Sequence, residues 1–214
     1  MSRLQAEQQR LFPEGTGRAM VLELAGPGAW EALARVWQGV QADLQLPPPA
    51  IAVSGTDGYQ LWFSFAQPVP AAQATTFLEG LRRRYLGEIE PARIRTSPSA
   101  DGTHPVRLPP LQVEEGHWSA FVTEDLAAVF GSEPWLDLPP TPDAQAELLS
   151  RVHSAQPADL ARALERLAPA AAPSPAPPAA ATGRASEQDP RSFLLGVMND
   201  GTVELGLRIE AANA

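Results

Sequence analysis

The hydrophobic period of this chain switches in a fixed order between residues 19 and 95, and that order is the strongest constraint on its fold. Ala19 to Ala25 (AMVLELA) alternates and reads as a strand. Gly26-Pro27-Gly28 then breaks the chain, and Trp30, Leu33, Ala34, Trp37 and Val40 recur at three and four residues. That spacing predicts an amphipathic helix running towards Leu44 and stopped by Pro47-Pro48-Pro49. Ile51-Ala52-Val53, the turn Ser54 to Gly58 and the β-prone run Tyr59 to Phe65 predict a hairpin. Beyond Pro68 and Pro70, Ala74, Phe77, Leu78, Leu81 and Tyr85 mark a second helix, and Arg93-Ile94-Arg95 reads as a fourth strand. The order β-α-β-β-α-β predicts an α+β, RRM-like core: a four-stranded antiparallel sheet with both helices on one face.

Strand geometry turns this into a statement about side chains, because alternate residues point to opposite faces. With Met20, Leu22 and Leu24 beneath the helices, Val21, Glu23 and Ala25 look out from the other face. Leu61, Phe63 and Phe65 inward leave Gln60, Trp62 and Ser64 outward, and Ile94 inward leaves Arg93 and Arg95 outward. An aromatic ring and guanidiniums on a bare sheet form a surface on which nucleic acid stacks and pairs. The competing expectation is that residues 106 to 140 fold over this face, at least in part, and bury Trp62. Trp118, Phe121, Leu126, Val129, Phe130 and Trp135 read as that apolar cover followed by a helix, and Gln145 to Leu167 as one or two further helices packing outside.

The flanks differ in composition. Residues 168 to 190 are almost wholly Ala, Pro, Ser and Gly, which predicts a disordered, semi-stiff linker. Residues 191 to 214 carry Phe193, Leu194, Val197 and Met198, then Val203, Leu207 and Ala211, at helical spacing, a short helical segment that needs a partner surface. Residues 1 to 17 read as a flexible lead-in, which leaves 18 to 167 as the folded body. The 214 residues contain no Cys, so disulfides, thiol catalysis and thiolate metal centres are excluded. His104, His117 and His153 are too scattered to suggest a metal cage. A formal net charge of −9 argues against wholesale coating by nucleic acid while leaving room for a local basic groove. The polar start and the lack of any long apolar run predict a cytoplasmic protein with no membrane partner. The abundance of Ala, Arg, Pro and Gly with no Lys fits a GC-rich bacterial genome.

The run from Met20 through the second helix, with VLELAGPG and LQLPPPAIAVSGTDGYQLWFSF, resembles the core of archaeo-eukaryotic-type primases and primase-polymerases over about a third of the chain. In that family the first strand carries an Asp-x-Asp pair and the hairpin reads Ser-Gly-x-x-Gly-x-His. Here Ser54-Gly55-Thr56-Asp57-Gly58-Tyr59-Gln60 follows the hairpin but ends on Gln, and Glu23 and Ala25 stand in place of the two aspartates. Nucleotidyl transfer uses two divalent ions about 3.5 to 4 Å apart, bridged by carboxylates. One carboxylate does not normally hold both, and Gln60 lacks the charge and proton-transfer capacity of histidine. The resemblance therefore implies a catalytically degenerate primase-polymerase-like domain that binds single-stranded DNA or nucleotides, using Mg or Mn only if an acid such as Asp57 or Asp101 rebuilds the site. The alternatives are a protein–protein scaffold without nucleic-acid binding and, should such an acid complete the site, an active metal-dependent nucleotidyltransferase. Residues 193 to 200 with 207 to 212 are similar to a short helical motif of phage terminase small-subunit-like proteins, which implies a docking peptide for a protein partner, in a mobile-element context.

Residues 82 to 107 hold six arginines, Arg82, Arg83, Arg84, Arg93, Arg95 and Arg107, against three acids. The nucleic-acid-contacting set expected from alternation and from the hairpin is Ser54, Gly55, Gly58, Gln60, Trp62, Arg93, Arg95 and Arg107. Arg82 to Arg84 read instead as the solvated end of a helix, where cations suit the C-terminal dipole. His117 beside Glu114-Glu115 reads as a solvated loop, and Ser54, Gly55 and Gly58 also satisfy the backbone needs of a tight turn.

Overall fold

A computed structural model describes residues 1–99 and 106–168. It divides the chain into a compact unit, Met1–Pro169, and a second unit, Ala170–Ala214. The expected linker and C-terminal helical segment lie outside the described residues, as does Asp101.

Among the described residues six α-helices and six strands follow one another: α1 (Arg3–Leu11), β1 (Ala19–Ala25), α2 (Ala29–Ala42), β2 (Ala50–Val53), β3 (Gly58–Ser64), α3 (Ala71–Tyr85), β4 (Ile94–Ser97), β5 (Leu111–Glu114), β6 (His117–Val122), α4 (Glu124–Phe130), α5 (Pro142–Ser150) and α6 (Pro157–Leu167). The sheet order is β4-β1-β3-β2-β6-β5, antiparallel at every pairing. Its first four strands are the expected β-α-β-β-α-β core. The sheet has six strands, however, because His117–Val122, read as a loose cover, alternates in side-chain direction and pairs with the free edge of β2, bringing β5 with it.

Each face of the sheet carries its own apolar layer. Met20, Leu22, Leu24, Leu61, Phe63 and Phe65 meet α2 and α3 through Leu33, Val36, Phe77 and Leu81, all 4% exposed or less. Helix α6 joins this layer with Leu160, Ala163 and Leu167 at three- and four-residue spacing. Fully burying each such leucine contributes about 1.5–3 kcal/mol. The approach of α6 to α3 is close, since a Cβ on Gly80 would lie 2.9 Å from that of Leu167.

The opposite face is covered as well. Val21, Ala52, Trp62 and Phe121 pack beneath Leu4, Leu11 and Phe12 of the N-terminal segment and Ala146 and Leu149 of α5. Residues 1 to 17 are therefore no frayed lead-in. Ser2 caps α1 by accepting from the Gln5 backbone while Gln5 reaches back to the Ser2 backbone, a reciprocal box that satisfies two otherwise unpaired N–H groups. Arg10 donates to the carbonyls of Leu149 and Val152, tying α1 to the end of α5. The expected cover from 106 to 140 is present only in part, through Val106, Leu108 and strand β6.

Candidate functional site

On the second face, one row of side chains crosses three strands. Glu23 of β1 is in register with Gln60 of β3 on one side and Arg95 of β4 on the other. Directly opposed residues in antiparallel strands have neighbouring Cβ atoms, so the three polar groups meet. Arg95 donates from Nη1 to Glu23 Oε1 at 2.7 Å, and Gln60 donates from Nε2 to Glu23 Oε2 at 2.7 Å. The Gln60 carbonyl in turn accepts from Trp62 Nε1 at 2.9 Å. Asp57 Oδ1 lies 3.7 Å from Arg95 Nη1. The Glu23 side chain is 8% exposed and that of Arg95 39%, so the pair has a dry end and a wet end. Both Glu23 oxygens are engaged, which is what allows a carboxylate to sit this deep. The bond to Glu23 holds the Arg95 guanidinium above its already high ordinary range, against the opposing effect of burial.

The row borders a cleft of about 360 Å³ whose lining includes Glu23, Gln60, Arg95, Ser54, Thr56 and Arg107. The β2–β3 turn forms one part of the wall. Ser54 Oγ accepts from the backbone N–H groups of Thr56 and Gly58, so its hydroxyl is spent on closing the turn. Gly55 has φ +83°, and a Cβ there would stand 2.7 Å from Val113 and 2.8 Å from the Ser119 nitrogen. Its own N–H donates to the Pro134 carbonyl. Gly58 lies against β1, where a Cβ would meet the Leu24 oxygen at 2.8 Å. The two glycines are thus required by packing. A neighbouring cleft of about 470 Å³, lined by Phe12, Val21, Trp62 and Leu108 among others, shares Val106, Arg107 and Leu111 with the first.

Four sequence expectations are revised by this geometry. Trp62 does point to the second face, but it is 4% exposed, with Phe12 at 5.3 Å and Phe121 at 6.0 Å between ring centroids, so it presents no open stacking platform. Arg93 belongs to a 3₁₀ turn, Pro91–Arg93, and the strand begins one residue later. Its guanidinium donates to the carbonyls of Ala25 and Pro27 and pins the β1–α2 connection instead of joining the row. The basic segment 82 to 107 is largely spent within the molecule: Arg82 pairs with Glu79 and Arg84 with Asp43, alongside the bonds of Arg93 and Arg95. Ala25 is buried at 6% and contributes no polar group. His117 is stacked on Trp135 at 4.3 Å rather than freely solvated.

Sequence reading missed the residues that close the second face. Gln145, 4% exposed, donates to the Phe121 carbonyl and accepts from the Phe121 N–H, clamping α5 to β6 where the strand's own pairing leaves those groups open. Leu11 ends, and Phe12 caps, a polar helix whose early signal is the Ser2…Gln5 spacing. Among the described residues no group of three or more His, Asp or Glu side chains is placed to hold a metal ion, and no helix is long and apolar enough to cross a membrane. No protein-family model matches the chain, and no curated protein matches it.

Proposed function

We propose that this domain is a non-catalytic, primase-polymerase-like module that acts by binding, as a cytoplasmic nucleic-acid-associated accessory protein. The observation that carries the reading is the Arg95–Glu23–Gln60 row. At the position where nucleotidyl transfer needs carboxylates free to bridge two cations, the one buried carboxylate has its two oxygens occupied by a guanidinium and an amide. Asp57 is 59% exposed and faces Arg95, so it does not supply a second free ligand beside Glu23. The donor set does not fit a pair of magnesium or manganese ions. Nucleic-acid contact on this reading rests on phosphates reaching Arg95 and Arg107 in the cleft, not on stacking against Trp62.

The test is a nucleotide-incorporation assay on the full chain with primed and unprimed single-stranded templates, in magnesium and in manganese. No extension product is expected. Primer synthesis that disappears in Glu23→Gln would overturn the proposal.

A second reading, a protein–protein scaffold, is favoured by a different observation: the sheet face is covered by α1 and α5, and four of the six arginines in 82 to 107 are bonded within the molecule. It predicts no salt-dependent affinity for single-stranded DNA. Residues 191 to 214 would then supply the docking peptide for a protein partner, a proposal resting on their apolar spacing alone.

A further inference from the structure

The cleft beside Glu23 is lined by two guanidiniums of different standing. Arg95 spends Nη1 on Glu23, yet a guanidinium carries five N–H donors in a planar fork, and 39% of this side chain remains exposed. Arg107 is exposed and lines the same cleft from the segment that leads into β5. The acids nearby are unequal too. Glu23 is buried, with both oxygens satisfied, so what it offers the cleft is a neutralised surface. Among the described residues Asp57, 59% exposed and 3.7 Å from Arg95, is the acid that competes for that arginine from the solvent side. Arg107 also stands at the junction with the larger cleft over Val21 and Trp62, so an anion held here has space for an attached group.

We propose that this cleft is a phosphate site in which Arg95, fixed by Glu23, supplies the positive charge that a divalent cation would otherwise bring, so that capture of the phosphate needs no metal ion. Guanidiniums suit the task because their parallel N–H groups match two phosphate oxygens and their charge does not titrate. Glu23 is a positioning residue in this arrangement. The proposal rests on the reading of the Glu23 row as closed to metal, but it is tested by binding, whereas that reading is tested by incorporation, so either can fail alone.

The experiment is calorimetry on the full chain with inorganic triphosphate as probe, once with a chelator and once with magnesium. Binding is expected in the chelator, with no gain from magnesium. Arg107→Ala is expected to weaken it by roughly tenfold or more, the scale of a lost charged hydrogen bond. Asp57→Asn is expected to tighten it about two- to fivefold, the scale of one exposed charge. Arg95→Gln should abolish it, and a melting curve reports whether that variant folds. If it does not, Arg107→Ala and Asp57→Asn carry the test. Two further arms identify the source of the phosphate: a nucleoside triphosphate that outbinds the inorganic probe points to a free nucleotide, and a single-stranded oligonucleotide that does so points to a strand. Binding that appears only with magnesium, no binding to any of the three probes, or indifference to both Arg107→Ala and Asp57→Asn would overturn the proposal.

Discussion

Removing Arg95 and removing Glu23 should have unequal costs, although both break the same bond. In Arg95→Ala the Glu23 carboxylate stays in a site where its side chain is 8% exposed, with one oxygen still served by Gln60 and the other left without its cation. Exposed ion pairs contribute about 0.2–1 kcal/mol, and stripping the partner from a fully buried charge costs about 3–5 kcal/mol. With one end buried and the other 39% exposed, the loss falls between these limits, at about 2 kcal/mol. For a domain of this size that corresponds to a fall of about 4–8 °C in Tm. Glu23→Gln leaves Arg95 with water and Asp57 as partners and should cost about half as much. The double variant Glu23→Gln/Arg95→Ala removes the stranded charge and should be more stable than Arg95→Ala alone, with a coupling of about 1 kcal/mol or more between the sites. Thermal and urea unfolding of the full chain, followed by circular dichroism and tryptophan fluorescence, measure all four corners of the cycle. Additive effects, or an Arg95→Ala midpoint within about 1 °C of the parent, would refute the claim that a buried carboxylate depends on this guanidinium.

Three further outcomes follow from packing and titration. Gly39→Ala should destabilise by about 1–3 kcal/mol despite alanine's better helix propensity, because the new methyl would stand 2.4 Å from the Tyr85 ring and displace it from Asp43; chemical denaturation measures this. Trp62→Ala should cost about 3–5 kcal/mol by leaving a cavity against the stacked Phe12 and Phe121 rings, with chemical denaturation again the measure. The two tyrosines are both held up to about 12, Tyr59 by burial and then the Glu31 charge, Tyr85 by burial and then its bond to Asp43. Because both folded values lie above the ordinary 10, the stability they contribute is complete below pH 10 and is lost as pH rises towards 12. An alkaline titration of phenolate absorbance should therefore show no tyrosine ionising near pH 10 in the folded protein, and a step there while the circular dichroism stays native would contradict the packing around both rings.

The core of the fold was legible because β1 through α3 bury one continuous layer, and burial imposes a period of two on strands and 3.6 on helices. The same alternation placed Glu23, Gln60 and Arg95 on one face. It could not say that the three would bond to each other, since that depends on the register of β3 and β4 against β1, from which both are distant in sequence, and on where the 3₁₀ turn Pro91–Arg93 lets β4 begin. That turn also separates Arg93 from Arg95: two residues apart in an uninterrupted strand they would share a face, but the strand starts at Ile94. Strand β6 was read as cover because its partner, β2, lies far away in sequence and a short apolar run does not declare what it pairs with. Helix α1 was missed because it is polar over most of its surface and spends just Leu4 and Leu11 on the core.

The shared bonding of positions 23, 60 and 95 also constrains how this sequence can drift. An exchange at any one of them is felt at once by the others, so substitutions among relatives are expected to come as matched sets, with the identity at 95 following that at 23. Gaining a second acid beside Glu23 has no single-step route: Ala25→Asp alone would bring another carboxylate into a position 6% exposed, while Arg95 remains committed to Glu23. Each single exchange leaves either crowded like charges or an orphaned one, so the row resists stepwise change.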